Sequence, residues 1–187
     1  MFINTKNTSF KNTPGKSHKK IFKSLSFLLL FSFFHQAFAD NTSEEPLMIS
    51  VKRITMETAL TIAKNTIDAC RTEGVQISVS VVDRAGVTQV ALRDVLAPTV
   101  SLTISEQKAK AALSFNAPTS SLERRFKNHG SVAKVEGLIF SAGGIPIQAG
   151  GLILGGVGVS GAPSGTLDEK CAKAGLEAVL DDLAMAD

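Results

Sequence analysis

The chain has 187 residues, 20 Lys and Arg against 17 Asp and Glu, 44% hydrophobic residues and neither Trp nor Tyr. Six of the lysines lie within residues 1–23, which carry no acid, so residues 40–187 hold 14 basic and 17 acidic groups, a net charge of −3. That balance, with no basic stripe interleaved with aromatics, argues against a nucleic acid partner, and the length suits one domain with a full-sized core.

In chain order, the lysine-rich start is followed by an apolar run from Leu25 to Phe34 and by Ala37-Phe38-Ala39. A basic region, a short hydrophobic region and an A-x-A site predict a signal peptide over residues 1–39, cleaved after Ala39. The apolar run is well short of the roughly 20 residues that span a bilayer. The expectation is a periplasmic or secreted protein with no membrane segment after cleavage. Residues 40–53 are polar, include Pro46, and read as a flexible leader to one domain over 54–187.

From Thr55, the spacing of Ala59, Ile62, Ala63, Thr66, Ile67 and Cys70 predicts a helix stopped by Gly74. Ile77, Val79 and Val81 alternate with Gln76, Ser78 and Ser80, the period of a strand with one buried face. Asp83-Arg84-Ala85-Gly86 is a turn, and Val87–Leu92 the returning strand. Pro98-Thr99 opens a second helix that ends before Pro118. Thr119 is expected to cap a short third helix. Leu138-Ile139-Phe140, Ile145–Ala149 and Leu152–Ser160 read as three further strands, and Thr166-Leu167-Asp168-Glu169 as the capping box of a last helix. The order α-β-β-α-α-β-β-β-α, with hairpin-length connections, predicts an α/β composition of the α+β type: a five-stranded antiparallel sheet flanked by helices.

Gly156, Gly158 and Gly161 spell G-x-G-x-x-G. A dinucleotide site needs that motif at a strand-to-helix turn, followed by another strand carrying a ribose-binding acid. Here no strand follows, and Asp181 and Asp182 fall inside the last helix. The stretch therefore reads as a strand whose glycines permit close packing, and no nucleotide cofactor is expected. Ser160 lies in Gly-Val-Ser-Gly-Ala, which is not a nucleophile elbow.

Cys70 and Cys171 sit in no metal-binding pattern; they either pair in an oxidising compartment or remain buried thiols. His129 is the one histidine after residue 39, so it is either a solvated loop side chain or an axial iron ligand. In the second reading Arg124, Arg125 or Lys127 would meet the ligand's carboxylates. Met48, Met56 and Met185 are alternative soft ligands without supporting context.

Several segments, taken in order, resemble one family: Val79–Gly86, Leu92-Arg93-Asp94, Lys108–Ala112, Gly143–Ile147 and Gly155–Gly161 followed by Asp168-Glu169. Across about residues 54–184 the chain is similar to GlcG/HbpS-like proteins and to the C-terminal part of PduO proteins. The resemblance implies a profilin-like antiparallel sheet, assembly into homo-oligomers, haem or related tetrapyrrole binding in some members, and haem degradation in secreted ones. It places Arg93 and Lys108 as the charged positions near a ligand. The expected function is thus an exported, oligomeric tetrapyrrole-binding protein. The alternatives are an enzyme or binding module for a small organic acid, with Arg93 and Lys108 holding carboxylate and Asp83 or Glu106 as acid/base groups, and a purely structural assembly domain.

Overall fold

In the computed structural model, which describes residues 45–128 and 130–186, the first helix begins where the sequence signals it. The Thr55 hydroxyl accepts from the Thr58 amide at 3.2 Å, satisfying one of the amides that a helix start leaves unpaired. Helix α1 (Met56–Thr72) turns Ala59, Ile62, Ala63, Thr66, Ile67 and Cys70 inward. Strands β1 (Ser78–Asp83) and β2 (Thr88–Arg93) form a hairpin. Its turn is built by Asp83, whose Oδ1 accepts from the Ala85 and Val87 amides at 2.8 and 3.0 Å. Helix α2 (Val100–Phe115), helix α3 (Thr119–Phe126) and a 3-10 turn (Val132–Lys134) lead to strands β3 (Gly144–Ala149) and β4 (Leu152–Ser160), and helix α4 (Gly165–Met185) ends the fold. Residues Met48–Asp187 make one compact unit.

The sheet has four strands in the order β2-β1-β4-β3, and every neighbouring pair is antiparallel. The expected fifth strand at Leu138–Phe140 is absent. Phe140 and Leu138 instead pack with Phe115, Leu122 and Phe126 in a small cluster of their own. The Ile139 amide donates to the Gln107 carbonyl of α2 rather than to a strand. The apolar run was legible, but a side-chain cluster rather than a ladder claimed it.

Helices α1 and α4 cover one face of the sheet. There Val79, Val81, Val157 and Val159 join Ile62, Cys70, Cys171, Ala172 and Leu176 in the main core. Cys70 and Cys171 are disulfide-bonded across these two helices, with a Cα separation of 5.4 Å. Helix α2 covers the other face, so Ser78 and Ser80 are buried rather than solvated. Their hydroxyls meet Ser101 and Ser105 of α2, each at 2.8 Å.

Glycines permit this approach. A Cβ on Gly158 would overlap the Ser105 carbonyl oxygen, and one on Gly156 would lie 2.5 Å from that of Ala109. Gly156 and Gly158 are thus the seat of α2 on the sheet, a backbone-to-backbone contact that no larger residue allows, whereas Gly161 follows β4 and lies against Ile77.

Two helix starts differ from expectation. Ser164, not Thr166, caps α4 by accepting from the Leu167 amide, and Glu169 accepts from the Ser120 amide and hydroxyl instead of closing a capping box. Thr119 does not cap α3; its hydroxyl accepts from the Gly144 amide at 2.8 Å, tying α3 to the start of β3. In both cases a side chain suited to a local cap found a buried partner from another element.

Candidate functional site

The β1–β2 turn, one side of α2, the α3–β3 connection and the start of β4 enclose a cleft of about 590 Å³. Small-molecule sites commonly measure roughly 300–1,000 Å³. Arg84, Ala85 and Gly86 come from the turn, Lys110, Leu113 and Ser114 from α2, Glu136, Gly137 and Leu138 from the connection, and Ile153 from β4. Gly86 is in the left-handed region (φ 78°), which lets the turn fold back after Asp83.

An aromatic cluster lies beneath the connection. Phe115, Phe126 and Phe140 lie at ring-centroid separations of 5.1–5.4 Å, tilted or edge-on to one another, and Leu138 packs against them. Leu113, Leu138 and Ile153 supply apolar wall, while Arg84 and Lys110 bring two cations to the rim. Arg84 Nη1 donates to the Ile153 carbonyl, which bridges the turn to β4. Lys110 Nζ donates to Glu106 Oε1 at 2.6 Å, and Thr88 Oγ1 donates to the same oxygen at 3.1 Å. The Lys110 hydrogen bond, reinforced by Thr88, holds the Glu106 carboxyl below the ordinary glutamate range against partial desolvation. Glu136 is the one acid of the lining and, among the described residues, has no ion-pair partner.

The side chains singled out in the sequence are not brought together here. Lys108 is buried: its ammonium donates to the Asp168 carboxylate and to the Val159 carbonyl, both at 3.0 Å. Asp168 accepts in turn from the Ala162 amide, and burial pushes its carboxyl up against the opposing pull of Lys108. Expected to face a ligand, Lys108 lies on the sheet-facing side of α2, and two of its three donors are taken up by internal partners.

Arg93 spans the β2–α2 connection, donating from Nη1 to the carbonyls of Asp94, Val95 and Ala97. Asp94 accepts two hydrogen bonds from Arg71, at 2.8 and 3.0 Å, and this pairing is the main cause of its depressed pKa. Arg124 borders a separate groove between α3 and α4, where Glu169, Lys170, Lys173 and Glu177 also lie, and donates to Ser121. His129 lies outside the described residues. Asp83, weighed as an acid/base group, is a turn builder that also pairs with Arg53 at 3.4 Å.

Arg84 and Lys110 are the cations that the sequence reading did not pick out. The signal for Lys110 was present as a Glu-to-Lys spacing of i,i+4 on α2, and for Arg84 as its place in the Asp-Arg-Ala-Gly turn. Among the described residues, no group of three or more His, Cys, Asp or Glu side chains is placed to hold a metal ion, and no helix is long and apolar enough to cross a membrane.

An antiparallel sheet with two helices on one face and one helix on the other, with a cleft at the hairpin turn that carries Arg84 and Lys110, defines a small α+β fold class. Residues 54–177 match the family model described as haem degrading protein HbpS-like, and the chain belongs to that family. A double mutant of Streptomyces reticuli HbpS is 39% identical, with 71% of this chain and 90% of that one covered at a TM-score of 0.68. Klebsiella pneumoniae protein ORFY is 25% identical over 78% of this chain and all of its own, also at 0.68. The structure of a PduOC–heme complex, 21% identical over 68% of this chain and 95% of that one at a TM-score of 0.63, shares the fold. No curated protein sequence matches the chain.

Proposed function

We propose that this protein is an exported, oligomeric binding protein for haem or a related tetrapyrrole, and that the ligand sits in the cleft between the β1–β2 turn and α2. The observation that carries this reading is the pairing of two rim cations, Arg84 and Lys110, with the apolar walls of Leu113, Leu138 and Ile153. A tetrapyrrole with two carboxylates on a flat apolar body has the complementary chemistry. Membership of a family described as haem degrading supports the same ligand class, as does the heme bound by the PduOC relative of like fold.

The residues present fit such a group. Haem, when bound, supplies a redox-active iron. The chain's own residues would orient it: Arg84 and Lys110 hold the carboxylates, and Leu113, Leu138 and Ile153 exclude water from the ring. His129, the one histidine after residue 39, is the proposed iron ligand. Export is supported by the basic, apolar and A-x-A pattern before Asp40 and by a disulfide, which persists in an oxidising compartment. The homo-oligomer rests on the family resemblance.

Hemin titration tests the reading. The expected result is a saturable, shifted Soret band that changes position in His129→Ala and weakens about tenfold or more in Arg84→Ala/Lys110→Ala, as loss of two charge-assisted contacts requires. An unshifted, non-saturating spectrum in the wild type overturns the haem reading. Unchanged affinity in the double variant moves the ligand out of this cleft.

A further inference from the structure

Glu106 is not part of the cleft wall, yet it is bonded to one of the two cations that are. It sits one helical turn before Lys110 on α2, and its Oε1 takes both the Lys110 ammonium at 2.6 Å and the Thr88 hydroxyl at 3.1 Å. Thr88 is the first residue of β2, just beyond the Arg84–Gly86 turn. We infer that Glu106 is a positioning residue that holds the Lys110 ammonium at the cleft rim, ready for the ligand's carboxylate; this rests on the haem reading of the same cleft.

The reasoning is one of preorganisation. A lysine on a half-exposed helix face has a flexible four-carbon stem, and a ligand that recruits it must first immobilise it. Here the carboxylate that restrains it is itself tethered to the sheet through Thr88, so the ammonium is fixed relative to the turn that carries Arg84. An ammonium has three donors. Its one protein bond leaves two for an incoming carboxylate.

The charge of Glu106 acts in the opposite direction, since it offsets the cation that the ligand needs. The Glu106 and Lys110 side chains are 37% and 35% exposed, so solvent screens this charge effect and positioning dominates. The two effects separate by substitution. Glu106→Ala removes the tether and the charge together. Glu106→Gln removes the charge but keeps an oxygen that can accept from both Lys110 and Thr88. A surface ion pair that merely stabilises α2 would respond differently, because its loss would be indifferent to the ligand's carboxylates and to the presence of Lys110.

The experiment titrates hemin and hemin dimethyl ester, which lacks the carboxylates, into wild type, Glu106→Ala, Glu106→Gln, Lys110→Ala and Glu106→Ala/Lys110→Ala, with circular dichroism confirming that each variant is folded. Glu106→Ala is expected to weaken hemin about threefold to tenfold, the range typical of coupled neighbours, and to leave the dimethyl ester unaffected. Glu106→Gln should bind hemin at least as tightly as wild type, and Glu106→Ala should cost nothing further once Lys110 is gone. Equal losses for both ligands, tighter hemin binding in both Glu106 variants, no change in Glu106→Ala, or a loss that adds to that of Lys110→Ala would each overturn the inference. Absence of hemin binding by the wild type overturns it together with the haem reading; binding by the wild type with additive losses overturns the positioning role alone.

Discussion

Lys108 and Lys110 stand two residues apart on the same helix, and each is bonded to one carboxylate, yet they belong to different parts of the molecule. Lys108 points into the sheet-facing side of α2, where it and Asp168 are each about 4% exposed and the Val159 carbonyl and Ala162 amide complete the network. Lys110 points to the cleft, where it and Glu106 remain about a third exposed. A step of two residues turns a helix by more than half a revolution, so neighbouring lysines necessarily face opposite ways. The inner pair is a tie between α2, β4 and α4. The outer pair leaves donors free for a ligand. The lesson is that a charged residue in a motif does not declare its role by type; its helix face does.

The comparison can be broken most forcefully at the inner pair. Lys108→Ala leaves Asp168 buried without its counter-ion, and truncating one partner of a buried pair costs roughly 3–5 kcal/mol. Urea unfolding should show a loss in that range; a loss below about 1 kcal/mol would mean that Asp168 takes up a proton or water at little cost. Gly158→Ala attacks the same side of the helix by a different route. Its new methyl meets the Ser105 backbone, which no rotamer change relieves, and a destabilisation of roughly 1–3 kcal/mol is expected.

At the outer pair the effects on stability are small. Lys110→Ala should change stability by no more than about 1 kcal/mol, the usual value of a half-exposed pair, while lowering hemin affinity. The sign of the pH dependence also separates the two acids. Glu106 has a lowered folded-state pKa, so its contribution is present above the ordinary value of 4.5 and is lost as pH falls through the lowered value. Asp168 has a raised folded-state pKa, so its contribution is present below 3.8 and is lost as pH rises through the raised value. Glu106→Gln should therefore flatten the acid limb of the stability curve, measured by melting temperature between pH 3 and 6. An acid limb as steep as that of wild type would remove Glu106 from this account.

Much of the scaffold was legible in advance because it depends on local periodicity. The buried stripes of α1 and α4, the Asp83–Gly86 turn, the Gly150-Gly151 hairpin and the antiparallel sense of the strands follow from spacing and turn chemistry alone. The site was much less legible. Arg93, expected near a ligand, also braces the β2–α2 connection, because its nearest acceptors are carbonyls of its own loop. Arg84 looked like an ordinary turn residue and became part of the cleft, because the hairpin, α2 and β4 converge at its position.

By itself the sequence determined the four helices, the β1–β2 and β3–β4 hairpins, and that the glycines from Gly155 to Gly158 belong to a strand. Those properties are set by interactions within a few residues. Only the tertiary structure decided that Leu138–Phe140 would join an aromatic cluster rather than the sheet, that Glu169 would bond to Ser120 rather than close a capping box, and that Lys108 would be buried while Lys110 borders a cleft. Each of these outcomes is a competition between a local partner and a distant one. The distant partner wins where burial makes an unpaired group costly, and a sequence does not show which partner will be there.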